Sequence, residues 1–209
     1  MPKTYHKGDQ APEGLLFVWP LQYYPERDRI IIGDNVKIRE GNSIIYWGTE
    51  IGDHSTICHS VIIREYTHIG KYTVVGSLVT IEGRNYIGDY VTLETKCHIV
   101  ATVKIEDGAF LGPCCVTTNT KRIVHGRTYP LVEEGAIIKF GARIGAGVTI
   151  CPKLTIGENA LVGAGAVVTK DIPDRKVALG IPAKIVADVK DDEILTREMI
   201  AKKLGLQSF

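Results

Sequence analysis

Residues Ile51–Phe110 read IGDHST ICHSVI IREYTH IGKYTV VGSLVT IEGRNY IGDYVT LETKCH IVATVK IEDGAF, ten consecutive hexads each opened by Ile, Val or Leu. The register extends upstream through Ile44, Ile38 and Ile32, with one extra residue between Ile44 and Ile51, and downstream to Leu111. It breaks, then resumes at Val132, Ile138, Ile144, Ile150, Ile156, Val162 and Val168. Four residues after most anchors stands a small residue, such as Ser55, Thr73, Cys97, Ala109, Cys115, Ala142 or Ala160, and Gly often follows the anchor directly, as at Gly52, Gly70, Gly88 and Gly157. A helix brings apolar residues back every three to four positions and a half-buried strand every two. A period of six with a small partner in the fifth place fits neither. It fits a solenoid of very short strands and tight corners, in which each anchor stacks on its equivalent in the next coil. The expected fold class is therefore all-β, a parallel β-helix of about seven coils from Ile31 to Pro173, which at ~4.8 Å per stacked strand stands about 30 Å tall. The glycines are read as supplying the positive φ that corners need.

The balance of 25 Lys+Arg against 24 Asp+Glu leaves a net charge of +1. That charge offers no basic face, so no nucleic-acid partner is expected. No apolar stretch reaches transmembrane length and Met1–Lys7 lacks the shape of a signal peptide, so a cytoplasmic protein with no membrane partner is expected. The five cysteines show no metal-ligand spacing. Cys97 and Cys115 fall in the small inward slot and are expected in the core, with Cys114 pointing outward.

Three segments follow. Residues 1–30 lie outside the repeat and are expected to cap the first coil, covering strand edges that would invite aggregation. Residues 31–186 form the β-helix domain, interrupted at 117–131 (TTNTKRIVHGRTYPL) by a loop thrown outward from a corner. Residues 187–209 carry a short C-terminal α-helix over Asp191–Leu206, with Asp191 or Asp192 as N-cap and Gly205 as stop, expected to cover the last coil.

The hexads, the loop and the tail together resemble the left-handed β-helix (hexapeptide-repeat) acyltransferase superfamily. Phe110–Asn119, FLGPCCVTTN, is similar to the FxGPxxxFTN segment of bacterial nucleotide-sugar N-acetyltransferases. Ile156–Val186 looks like the IGxxAxVGAGAVVTKDVP…GxPAK closing element of coenzyme A-dependent members. The resemblance covers about residues 31–186. It implies left-handed winding, a homotrimer with active sites between neighbouring prisms, acetyl-coenzyme A as co-substrate, a small-molecule sugar partner and no metal. Where that branch carries an acidic residue after the Asn, this chain has Thr120, and where a Glu often precedes the loop it has Val100 and Ala101.

The reaction so implied is direct acetyl transfer from acetyl-coenzyme A to the amine of a nucleotide-linked amino sugar. O-acetylation of a sugar or small alcohol is the alternative. An amine attacks as its free base, and a group of near-neutral pKa, a His, suits the proton transfer. His98, one coil before FLGPCCVTTN, and His125, inside the loop, are the two candidates for that base. His6, His54, His59 and His68 read as surface histidines. By resemblance Asn119 orients the amine or the acetyl group; on local grounds it reads equally well as a turn-former leaving the coil. Gly145, Ala146, Gly163, Ala164 and Ala166 leave a corner without bulk, along which a pantetheine arm could bond to exposed backbone. Lys170, Lys184 and Arg175 are the candidates for the cofactor phosphates, and Lys121, Arg122 and Arg127 for a nucleotide-sugar diphosphate. Two further readings stand beside this one: a γ-type carbonic anhydrase, for which His54 and His59 have one of the required spacings, and a β-helix with no catalytic role.

Overall fold

The computed structural model of the chain describes residues 1–205. The hexads wind into a three-sided prism whose walls are sheets of eight, nine and eight strands among the described residues. The first face stacks Ile30–Ile32, Glu50–Ile51, His68–Ile69, Tyr86–Ile87, Lys104–Ile105, Ile137–Ile138 and Thr155–Ile156. The second runs from Lys37–Ile38 through Thr92–Leu93, Phe110–Leu111 and Leu161–Val162 to Lys176–Leu179. The third includes Ser43–Tyr46, Ile62–Ile63, Thr80–Ile81, His98–Ile99, Val116–Thr117, Thr149–Ile150 and Val167–Val168. Pairing within the coils is parallel and in register at a separation of 18, as Ile51 opposite Ile69 and Ile69 opposite Ile87. From Glu50–Ile51 to Val167–Val168 each strand is two residues long: the second residue turns inward and is buried, and the residue before it faces out.

The register differs from the sequence reading at one place. Ile45, not Ile44, is the buried anchor, paired with Ile63. The extra residue therefore sits before it, in the corner 39–42, where Gly41 has φ 137 and Asn42 φ 55. Both candidates are isoleucine, so the period alone could not choose between them. Val132 is likewise no anchor, being 57 % exposed; the inward register resumes at Ala136 and Ile138.

The glycines also act differently from the expectation. Those that follow an anchor do not carry positive φ. That conformation falls two residues later, mostly on other residue types: His54, Ser60, Tyr66, Tyr72, Leu78, Arg84, Tyr90 and Lys96 all have φ between 54 and 63. The post-anchor glycine is demanded by space. A Cβ on Gly70 would lie 2.4 Å from Asp89 Oδ1 and 2.5 Å from the carbonyl carbon of Gly88, one coil on. Coils at strand spacing leave no room there for a side chain.

The ends are closed by strand pairing. Lys3–Tyr5 lies antiparallel on Ile30–Ile32, and Leu15–Val18 adds a parallel strand beside Ser43–Tyr46, so part of the N-terminal segment joins the stack. At the other end Ile172 bridges to Ile156, Lys176–Leu179 pairs with Leu161–Val162, and Lys184–Asp188 folds back antiparallel. The stack thus has about eight turns rather than seven. The C-terminal helix is Arg197–Lys203, shorter than expected, and its N-cap is Thr196, whose hydroxyl accepts from Met199 N. Asp191–Glu193 forms a separate 3-10 turn. Gly205 does follow the helix with φ 67, whereas Leu206 lies outside the described residues.

This tail does not sit on the last coil. It straps the corner between the first and second faces. Asn159 grips Leu195 by two hydrogen bonds, from its amide to Leu195 O (3.1 Å) and from Leu195 N to its Oδ1 (2.9 Å). Arg197 lies over the Phe140 ring, and Lys203 over that of Tyr90. Leu195 and Ile200 cover Gly108.

The same corner carries a carboxylate ladder. Asp53 Oδ1 accepts from Asp34 N, Asp89 from Lys71 N, Asp107 from Asp89 N and Asp174 from Glu158 N, at 2.7–2.9 Å. These backbone donors, then Lys71 and Lys139, hold Asp53 and Asp174 below the ordinary aspartate range. Their contribution to stability is complete above the unfolded value near pH 4 and is lost as pH falls through the lowered folded values. Melting temperature should therefore drop below about pH 4. An Asp53→Asn/Asp174→Asn variant should show a shallower acid slope; an unchanged slope would contradict this account.

Candidate functional site

The three corners of the prism differ in chemistry. The one between the first and second faces is taken by the strap. The other two border the third face, and the expected site residues collect on them.

His98 is the outward residue of its strand, flanked in its column by Thr80 below and Val116 above. Its backbone is fixed by Thr117, which fills the inward anchor slot of the next coil with no exposure: Thr117 Oγ1 accepts from Val100 N (3.0 Å) and donates to His98 O (3.5 Å). A threonine where the period calls for an aliphatic residue is thus part of what holds His98. The His98 ring meets Glu82, with Nε2 3.2 Å from Glu82 Oε1 and side chains 43 % and 33 % exposed. A carboxylate can only accept, so Nε2 is the donor in this pair, and in the neutral imidazole the lone pair is then on Nδ1. Glu82 also receives Ala101 N (3.3 Å) through its second oxygen.

Glu82 escaped the sequence reading, which looked for an acid at Val100 and Ala101. It stands 16 residues before His98, immediately after anchor Ile81, and an 18-residue coil brings that offset onto a diagonal between neighbouring coils. The signal was present in the period.

The loop leaves the same corner. Asn119 closes its neck: it is 9 % exposed, its amide donates to Ala101 O (3.2 Å), and its own carbonyl accepts from Glu134 N (2.7 Å). Of its two readings, this geometry is that of the turn-former. Arg84 to Glu133 (2.6 Å) and Lys153 to Glu134 (2.7 Å) tie down the loop's far end. His125 is exposed, and its side chain has no hydrogen bond or ion pair among the described residues; only its carbonyl is used, by Arg127. Arg122 lies over Tyr129, and with Lys121 lines a cavity of about 140 Å³ beneath Pro130, Val132 and Glu134. The structure thus brings His98, Glu82 and Asn119 to one corner, while His125, Lys121, Arg122 and Arg127 ride on the loop.

On the opposite edge of the third face, the last coils are stripped of bulk. Ala146, Gly147, Ala164 and Gly165 are exposed at the corner tips. A Cβ on Gly147 or Gly165 would meet nothing within 4 Å. Gly145 and Gly163 are packing glycines instead, since a Cβ on Gly145 would sit 2.4 Å from Ala164 N and one on Gly163 would strike Leu179. Ala166 does not belong to a cofactor lane: it turns inward at 0 % exposure and is core. Arg175 is committed elsewhere, paired with Asp191 of the strap. Lys184 and Lys170 are exposed and in no ion pair among the described residues; Ala183 N, next to Lys184, bonds Val167 O on the third face, whereas Lys170 lies past Val167–Val168 on the loop-side corner. The open tips Gly165 and Gly147 continue down the corner to Cys114 and Lys96, two residues before His98.

The remaining histidines are engaged apart from one another. His54 stacks on Tyr72 at one corner, His59 bonds Glu40 O at the next, and His68 stacks on Tyr86 on the first face. The two spaced like carbonic anhydrase ligands therefore stand on different edges. Cys97 and Cys115 are buried in neighbouring coils, donating to Gly112 O and Gly145 O, as expected of core thiols; the Cys115 thiol beside it, and then burial, push the Cys97 thiol up.

Comparison with known proteins bears on the repeat and the fold. Residues 135–170 match the family model for the bacterial transferase hexapeptide (six repeats). The galactoside O-acetyltransferase of Escherichia coli (strain K12) is 32% identical over 126 residues, which are 57% of this chain and 59% of that protein. The bifunctional protein GlmU of Rubrobacter xylanophilus is 29% identical over 189 residues, 78% of this chain and 36% of that one. Both alignments span less than two thirds of the relative's length. Among solved structures, AntD, an N-acyltransferase from Bacillus cereus in complex with dTDP and 3-hydroxybutyryl-CoA, superposes with a TM-score of 0.59 at 19% identity, covering 83% of this chain and 90% of that chain. The shared fold is the left-handed parallel β-helix.

Proposed function

We propose that this chain, a hexapeptide-repeat left-handed β-helix protein, is an acetyl-coenzyme A-dependent acetyltransferase whose acceptor is the amine of a nucleotide-linked amino sugar. The observation that carries the reading is the solvent-facing His98–Glu82 pair, placed where the stripped corner descends onto the third face and the loop departs from its other edge.

Acetyl-coenzyme A supplies an activated acyl group; the chain's residues bind, orient and move a proton. The arm would follow the open backbone of Ala164–Gly165 and Ala146–Gly147, with Lys184 and Lys170 meeting its phosphates by charge-assisted contact. Glu82 fixes the His98 ring so that Nδ1 takes the proton the acceptor gives up as it attacks the thioester carbonyl; the carbon–sulfur bond then breaks and coenzyme A leaves as the thiol, taking up that proton. Loss of that proton makes the acceptor a better nucleophile, which an amine needs less than an alcohol does. Loop cations Lys121, Arg122 and Arg127 would meet the acceptor's phosphates, and Asn119 keeps the loop root closed. His125 is the second candidate base. A homotrimer, with the loop of one prism facing its neighbour, is part of the same reading. No helix among the described residues is long and apolar enough to cross a membrane.

AntD binds dTDP and an acyl-coenzyme A, which supports the nucleotide-sugar reading. The relative that acts as a galactoside O-acetyltransferase supports the second reading, transfer to a hydroxyl. Released thiol, followed with acetyl-coenzyme A against amino-sugar nucleotides, free amino sugars and galactosides, decides between them. Turnover on the amino-sugar nucleotides is the expected result. Turnover only on galactosides would replace N- by O-transfer, and failure to bind coenzyme A would sink both.

A further inference from the structure

The corner between the third and first faces has an ordered chemistry below His98 that the mechanism does not use. Immediately after each anchor, one coil apart, stand Tyr46, Arg64 and Glu82. Glu82 belongs to the His98 pair. One coil down, Arg64 is held twice by Glu65, through Nε (3.1 Å) and Nη2 (2.9 Å), and its guanidinium carbon lies 5.9 Å from the centre of the Tyr46 ring. Its remaining nitrogen, Nη1, has no partner among the described residues. Arg84 adds a second guanidinium at this edge, tethered to Glu133 of the loop. One coil further, Tyr46 and Trp47 place two rings 5.6 Å apart at a tilt of 50°.

Resting on the acetyltransferase reading above, we infer that this column is the acceptor's recognition lane, in which Arg64 joins the loop cations at the diphosphate and Tyr46 takes the base of a nucleoside diphosphate whose amino sugar lies at His98. The order of polarity is the argument. A carboxylate and an imidazole face the amine, guanidinium follows one coil below, and an aromatic plane comes one coil below that. Guanidinium is planar and already positioned by Glu65, so it meets phosphate oxygens at little ordering cost. An aromatic face takes any base, with specificity left to other contacts. Three coils separate His98 from Tyr46, about 14 Å at strand spacing, so one extended acceptor can touch all three groups and a free amino sugar cannot.

The test is calorimetric titration with UDP, dTDP and GDP alone, on the wild type and on Tyr46→Ala, Tyr46→Phe and Arg64→Gln. We expect the wild type to bind at least one of them. Tyr46→Ala and Arg64→Gln should weaken that binding roughly tenfold, and Tyr46→Phe, which keeps the ring, should not. Circular dichroism and unchanged coenzyme A affinity establish that each variant is folded. No binding to the folded wild type, or binding indifferent to both variants, overturns the lane. Acetyl transfer is read separately: turnover on unlinked acceptors without nucleoside diphosphate binding removes the lane and leaves the enzyme. Binding that depends on Tyr46 and Arg64, with no transfer to any acceptor, does the reverse.

Discussion

Replacing His98 with Ala should lower kcat for acetyl transfer by roughly 10²–10⁴-fold, the range for removing a positioned general base, while leaving the affinity for coenzyme A unchanged. The affinity is spared because the proposed cofactor lane runs along Ala146, Gly147, Ala164 and Gly165, whose backbone His98 does not support. Glu82→Gln should cost less, roughly tenfold to a hundredfold, the worth of one hydrogen bond to a charged group. It removes the acceptor-only partner that settles which ring nitrogen carries the proton, and leaves the imidazole in place. The two acceptor classes part in the double variant His98→Ala/His125→Ala. An amine can still attack after losing its proton to water, whereas an alcohol has no comparable route. Turnover retained in that variant would exclude the O-acetyl reading, and an undiminished rate in His98→Ala alone would remove His98 from the mechanism.

The second large effect is on stability. Gly70→Ala introduces a single methyl group whose carbon would sit 2.4–2.5 Å from the next coil's backbone and from the Asp89 carboxylate. Two coils must part locally, and overpacking of this kind costs about 1–3 kcal/mol or more. For a chain of this size, each kcal/mol lowers the melting temperature by roughly 2–4 °C. The comparison that isolates the cause is Lys96→Gly. Lys96 is exposed, with φ 63, and Gly relieves that conformation at the expense of a freer unfolded chain. Its melting temperature should stay within a few degrees of the wild type's. Equal losses in both variants would mean that corner conformation, not coil spacing, makes the glycines necessary.

That contrast also shows where sequence reading succeeds and fails. The anchors from Ile51 to Leu111 could be placed residue by residue because their aliphatic type and their burial repeat with one period. At Ile44 and Ile45 composition is degenerate and the register was lost by one. Post-anchor glycines were visible, but the backbone conformation was assigned to the wrong position, since the hexad states that a residue is small without stating whether torsion or space requires it. His98 was legible as an outward histidine near the loop. Glu82 required the 18-residue coil to be applied to polar residues as well as to anchors. Asn119 was found by resemblance, and its burial against Ala101 depends on a loop closure that no spacing reports. The tail was recognised as helical, yet its destination was not: Asn159, the residue that grips Leu195, lies in an ordinary corner and looks like any other turn-former.

A stack of coils joined only to their neighbours can fray from either end, one unit at a time, because its energetics are nearly one-dimensional. The strap changes that. From Arg175 through Asn159, Phe140 and Gly108 to Tyr90, it touches that one corner at five successive levels, so the terminal coils cannot peel away without first releasing contacts made well inside the prism. The upper coils, which carry the open Gly147 and Gly165 tips, are thereby bound into the same cooperative unit as the coil of His98. Amide exchange there should report global rather than local opening.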